Sequence, residues 1–135
     1  MKIAEAKHIG DNRIALNYAN TDKVYTTDIP TSHGGLGEFP SPVVLMTEAL
    51  AACALTTACL WASKRDIDNA KFHAIVEHIE IDPNTNAVSD ITIRFHFNRN
   101  IAPELRPRIE AATHRGCTVG NTLTSNKTFV FEYDM

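Results

Sequence analysis

The sequence lacks most of what would mark a specialised class. It has no Lys/Arg-rich run, and 13 basic against 16 acidic residues leave a net charge of −3. Nothing there favours a nucleic-acid partner. The opening MKIAEAKHIGDNR has no apolar core of a secretory signal, and only three cysteines occur, which argues against a secreted disulfide scaffold. The expected location is the cytoplasm. No Cys-x-x-Cys, repeat, low-complexity tract or linker is present. The glycines of PTSHGGLGEFP (30–40) are not followed by Gly-Lys-Ser/Thr, so this is a connecting loop and not a phosphate cradle. His73, His78, His96 and His114 lack metalloprotease spacing, and neither a metal nor a bound cofactor is expected.

What the chain does have is one long apolar stretch, Ser41 to Ala62, SPVVLMTEALAACALTTACLWA. Ser41 suits an N-cap and Pro42 the first helical position, where its missing N–H costs nothing. Glu48 is the only formal charge in the stretch. A helix apolar on nearly every face is either a domain core or a membrane span. Its length fits a span of roughly 20 residues, but Glu48 and three threonines lie inside it, and the rest of the chain reads as strands that need an apolar cover. A buried helix without a membrane is the expectation.

With 135 residues and 44% hydrophobic content, the chain suits one domain, residues 1–135. Residues 2–9 read as an opening strand, followed by a turn at Asp11-Asn12. Arg13 to Tyr18 alternates as a half-buried strand, and Lys23 to Ile29 completes a meander. After the helix, Ala70 to Ile81 and Val88 to Asn98 predict an antiparallel hairpin. Its second strand puts Ser89, Ile91, Ile93, Phe95 and Phe97 on one face. A second helix is predicted over Pro103 to Arg115, its regular part starting near Pro107 and stopping at Gly116. Lys127 to Tyr133 closes the chain as a strand. The fold class is α+β, in the order β-β-β-α-β-β-α-β.

The chemistry rests on Cys53 inside the long helix and Cys117 after the second one. Each cysteine is open to two readings, a small buried hydrophobe or a reactive thiol. Cys53 and Cys59 are six residues apart on one helix and face different ways, whereas Cys53 and Cys117 can pair only if the fold brings them together.

PVVLMTEALAAC (42–53) resembles the helix signature of the OsmC/Ohr family, and CTVGNTL (117–123) resembles that family's second cysteine motif. The order and spacing match over essentially the whole chain. The resemblance implies an intertwined homodimer, with two bent sheets around a long central buried helix. It also implies thiol-dependent reduction of organic or hydrogen peroxides in oxidative stress defence. Cys53 would form the sulfenic acid, Cys117 the disulfide with it, and an external small or lipoyl dithiol would restore both.

A thiol of ordinary pKa is mostly protonated at neutral pH, and Cys53 is too far from its helix N-terminus to gain from the dipole. A cation is therefore expected. Family members draw it from an early strand, and the matching residue is Arg13, although Ile14, Leu16 and Tyr18 carry the apolar parity of that strand. The family's carboxylate in the first turn of the helix is replaced here by Val43 and Val44. Glu38 is a second candidate partner for Arg13. Glu48 lies about 140° around the helix from Cys53 and is expected to pair across the dimer or to reach solvent. The valines motivate an alternative: a non-peroxidase member binding a small apolar ligand or electrophile at the dimer interface. A dimer with inert cysteines is the third reading.

Overall fold

The computed structural model describes residues 1–135, which form two units, 1–46 and 47–135. In the first, β1 (Ala4–His8), β2 (Ile14–Tyr18) and β3 (Val24–Thr27) make an antiparallel meander in that order. Its tight connections take left-handed residues: Gly10, Asp11 and Asn12 all have positive φ in the first turn, and Ala19 in the second. Asn and Asp tolerate that region better than most residues, so the Asp11-Asn12 turn forms where the sequence places it. The register pairs Leu16 with Ala6 on one side and Tyr25 on the other. β1 is exposed along its whole length.

Helix α1 (Pro42–Ser63) begins in the first unit and continues into the second. Ser41 caps it, its Oγ accepting the Val44 N–H at 3.3 Å. At its other end Asp66 adopts positive φ, while the N–H groups of Ile67 and Asp66 reach back to the carbonyls of Ala62 and Ser63. That is the Schellman stop, with Asp in the place glycine usually takes.

Burial within α1 is confined to one stripe: Thr47, Leu50, Ala51, Ala54, Ala58 and Ala62. Spacings of three and four residues put these on one face. Ala49, Ala52, Thr56 and Leu60 occupy the opposite face and are exposed, Leu60 by 57%. The chain's own residues thus bury only one stripe of a helix that is long and apolar enough to cross a membrane.

In the second unit β4 (His73–Ile81) and β5 (Val88–Phe97) form the antiparallel hairpin. A bulge at Glu77 resets its register between Val76 and His78, which switches the side-chain parity of β4 midway. Strand β6 (Asn126–Tyr133) adds parallel to β5, as a strand returning through a helix can. The inner face of β5 is as its alternation predicts, with Ile91, Ile93, Phe95 and Phe97 fully buried. Phe95 packs on Phe129 and Phe131 at ring distances of 5.0 and 5.3 Å, and Phe97 on Phe72 at 4.6 Å.

Helix α2 (Arg106–Arg115) follows a short tight turn at Pro103–Leu105. Pro107 falls in its first turn, where a proline costs little. Gly116 ends α2 but stays right-handed, with φ −83°, so left-handed geometry is not the reason for glycine. A Cβ there would lie 2.5 Å from Thr57 Cγ2: the residue lets α1 and the end of α2 approach closely. One further element, α3 (Thr118–Thr122), is a five-residue helix inside CTVGNTL that hydrophobic periodicity does not reveal.

Candidate functional site

Cys53 and Cys117 come together in the second unit through α1 and α3. Cys117 is the N-cap of α3, where its thiol accepts the Gly120 N–H at 3.2 Å. Its own S–H faces the Leu50 carbonyl at 3.9 Å, and its side chain lies close enough to Cys53 for the two thiols to influence each other's acidity. Both thiols are free. They differ in environment: Cys117 is fully buried, whereas Cys53 lies at the margin of the covered stripe and is half-buried.

That difference separates their acidities. The Val119 N–H is the main influence holding the Cys53 thiol below its ordinary value; the Cys117 side chain and the Thr118 N–H act in the same direction, and partial burial opposes them. Burial pushes the Cys117 thiol up, and the Gly120 N–H only partly offsets it. Of the two sulfurs, the accessible one is therefore the better thiolate and the buried one stays protonated. A thiolate is the nucleophilic form, so the pair is asymmetric in the way that an attacking and a resolving cysteine require.

The groups that lower Cys53 in this structure are not cations. The donors are backbone amides at the start of α3, neutral groups held in place by the cap. Cys is not among the strong N-cap residues, and so α3 and its donors are not legible in the sequence. Cys59, the third thiol, is pushed up by burial, and its carbonyl accepts from Asn69 Nδ2 at 2.9 Å.

Arg13 immediately precedes β2 and belongs to a separate arrangement in the first unit. Its Nη2 lies 2.7 Å from Glu38 Oε2, and its Nε lies 3.4 Å from Asp28 Oδ2. Both nitrogens are shielded from solvent and sit off the line of a well-formed hydrogen bond, so these are ion pairs before they are hydrogen bonds. The guanidinium also stacks over the Phe39 ring at 5.0 Å. Arg13 thus turns away from open solvent, and Glu38 meets it as the sequence suggests.

Asp28 went unnoticed in the sequence, and it organises this region. Its buried carboxylate accepts the N–H groups of Ile29 at 2.7 Å, Leu36 at 3.3 Å and Glu38 at 3.0 Å. Burial alone would push this carboxyl up; the Glu38, Ile29 and Leu36 amides together with Arg13 outweigh it and hold the group below its ordinary value. The close contact with the Glu38 carboxylate, followed by Asp28, raises Arg13. The signal available in the sequence is an Asp at a strand end before a Gly/Pro loop, the Asx acceptor position.

Glu48 is exposed on α1. On the other histidines, the rings of His73 and His96, cross-strand neighbours, stack at 4.6 Å, and His96 Nδ1 meets Asp134 at 3.0 Å. No three His, Cys, Asp or Glu residues converge as a metal site. Beside the Arg13 arrangement, a cavity of about 410 Å³ is lined by residues including Leu36, Phe39 and Val44.

The model of one protein family, described as OsmC-like protein, matches residues 35–132. Among solved structures, one from Psychrobacter arcticus, described as an osmotic stress induced and detoxification response protein, superposes with a TM-score of 0.90 at 23% identity, covering 98% of this chain and 96% of its own. An organic hydroperoxide resistance protein from Legionella pneumophila gives 0.71 at 19% identity, over 96% and 93%. OhrB of Bacillus subtilis, an organic hydroperoxide resistance protein, gives 0.67 at 14% identity, over 96% of each chain. At these identities the structures share the fold. No curated protein sequence matches the chain significantly.

Proposed function

Given that the chain belongs to the OsmC-like protein family, we propose that it is a cytoplasmic thiol-dependent hydroperoxide reductase with Cys53 as the attacking cysteine and Cys117 as the resolving one. The observation that carries the reading is the meeting of two unlike free thiols, Cys53 half-buried at the edge of the α1 stripe and Cys117 fully buried as the cap of α3, with the α3 amides lowering Cys53 and burial raising Cys117. The Cys53 thiolate attacks the distal peroxide oxygen, the O–O bond breaks, and the alcohol (or water) leaves with a proton. Cys53 is then a sulfenic acid. Cys117 displaces its oxygen as water to form the Cys53–Cys117 disulfide, and an external small or lipoyl dithiol returns both thiols by exchange.

Arg13 takes the part of the cation that the resemblance assigns to its position. Asp28 and Glu38 supply the carboxylates that hold it, in the role of the helix carboxylate that Val43 and Val44 replace. The exposed face of α1, with Ala49, Ala52 and Leu60, supports a homodimer in which a second copy covers it, since an apolar patch along a helix favours burial.

Peroxide consumption driven by a dithiol tests the reading. Wild type is expected to turn over an organic hydroperoxide and to yield a Cys53–Cys117 disulfide by mass spectrometry after mild oxidation, whereas Cys53→Ser is expected to fall to background. The oxidation rate should rise with pH and level off above a break that lies below that of an ordinary thiol. No turnover by wild type, or full turnover by Cys53→Ser, overturns the proposal. The apolar side chains Leu36, Phe39 and Val44 in the cavity near Arg13, beside the polar Thr31 and Ser41, favour the second reading, binding of a small apolar ligand or electrophile without turnover. Saturable binding with slow Cys53 alkylation would establish it instead.

A further inference from the structure

Helix α3 carries a glycine that its own backbone does not require. Gly120 lies in the helix without positive φ, where alanine is the better helix former. Sulfur occupies the space a side chain would need. The Gly120 N–H donates to Cys117 Sγ at 3.2 Å, and a Cβ on Gly120 would stand 3.2 Å from Sγ, 3.4 Å from Leu50 Cδ1 and 3.5 Å from Cys117 Cβ. Across the slot the Leu50 carbonyl faces the same thiol at 3.9 Å. Cys117 Sγ is thus seated between an amide donor and a backbone acceptor, and a methyl group at residue 120 fits only if the sulfur gives way.

We propose that Gly120 is a positioning residue for the resolving step: its amide seats the Cys117 sulfur, and its missing side chain keeps free the slot in which that sulfur turns toward Cys53. The inference rests on the peroxidase reading above. In the step concerned, Cys117 loses its proton, and its sulfur lone pair forms the S–S bond to the Cys53 sulfenic acid. The S–O bond of Cys53 breaks with its electron pair on oxygen, and the leaving hydroxide takes up the proton as water. Charge develops on a fully buried sulfur during this step, and the Gly120 N–H is the donor already in contact with it. Closing the disulfide also ends the free-thiol cap of α3, so the reaction and the helix start are coupled through one hydrogen bond.

The test follows single turnover of reduced wild type and Gly120→Ala with cumene hydroperoxide, trapping sulfenic acid with dimedone and measuring the disulfide by mass spectrometry. In the variant, Cys53 oxidation is expected to stay within about two-fold of wild type while disulfide closure slows about ten-fold and the dimedone adduct accumulates. A merely structural role predicts no such split, since alanine favours the helix. Disulfide closure at the wild-type rate in a folded Gly120→Ala overturns the inference. A second measurement needs neither the variant nor peroxide: amide hydrogen exchange of Gly120 in wild type, reduced and then oxidised with diamide. Exchange about ten-fold faster in the disulfide form supports the seat, and equal exchange in the two forms overturns it. A wild type that forms no sulfenic acid with peroxide fails the peroxidase reading separately, and the exchange comparison still decides the role of the Gly120 amide.

Discussion

Charge is managed in opposite ways in the two units. In residues 1–46 a cation, Arg13, is met by two carboxylates, Asp28 and Glu38. In residues 47–135 a developing anion, the Cys53 thiol, is met by the amides of Val119 and Thr118 and by a neutral thiol. The first arrangement needs two charged groups, Arg13 and Asp28, to be shielded from water together, which their attraction must offset. The second uses dipoles already fixed by a helix start, which carry no net charge to desolvate and respond little to salt. A protein can therefore lower a thiol's pKa without a salt bridge, provided a cap holds the donors in place.

The largest expected effect separates these two mechanisms. Arg13→Gln should reduce peroxide consumption about 10²-fold, the scale of losing one transition-state stabiliser. The pH break of Cys53 alkylation should nevertheless stay below the ordinary thiol value, because its amide donors belong to the other unit and remain. A stopped alkylation series from pH 5 to 10 checks this. Movement of the break up to the ordinary value would collapse the contrast and give the shift back to the cation.

A smaller effect is expected in stability. Asp28→Asn removes the charge that gathers three loop amides and Arg13, and the melting temperature at neutral pH should fall by about 5 °C. The folded Asp28 carboxyl lies below its ordinary value, so its contribution is complete above about pH 3.9 and is lost as pH falls through the folded value. The gap between variant and wild type should close on acidification, as thermal melts across pH 2.5 to 7 will show. A gap that widens toward acid would mean that Asp28 acts through packing instead of charge.

Much of the fold was legible because its signals are local. Apolar alternation marks β5, Ser41 and Pro42 mark the start of α1, and Pro107 marks where α2 becomes regular. The cysteine pair was legible through motif resemblance, and its meeting follows from the fold. Three features were not legible, each for its own physical reason. α3 is five residues long and capped by a thiol, so it has neither periodicity nor a strong cap. The amide donors to Cys53 are main-chain groups and have no residue type to recognise. Asp28 looks like an ordinary turn residue until Leu36 and Glu38, eight and ten residues on, fold back onto it. The open face of α1 is a different case: the sequence predicts burial on nearly every side, and one chain covers a single stripe, leaving the rest to the proposed second copy.

The smallest effect tests whether contact distance or environment sets the worth of an ion pair. Glu38 is the nearer partner of Arg13, at 2.7 Å against 3.4 Å for Asp28. Distance alone would rank it first. Its side chain is 62% exposed, however, while that of Asp28 is fully buried, and exposed pairs are screened and must hold flexible side chains still. Glu38→Gln should therefore shift the melting temperature by no more than about 2 °C, less than half the effect of Asp28→Asn. The Glu38 amide, which binds Asp28, is untouched by that substitution, so the loop keeps its anchor. Melts of the two single variants and the double variant decide the ranking. If Glu38→Gln costs as much as Asp28→Asn, the short contact outweighs burial, and the Arg13 arrangement is held from its solvent side.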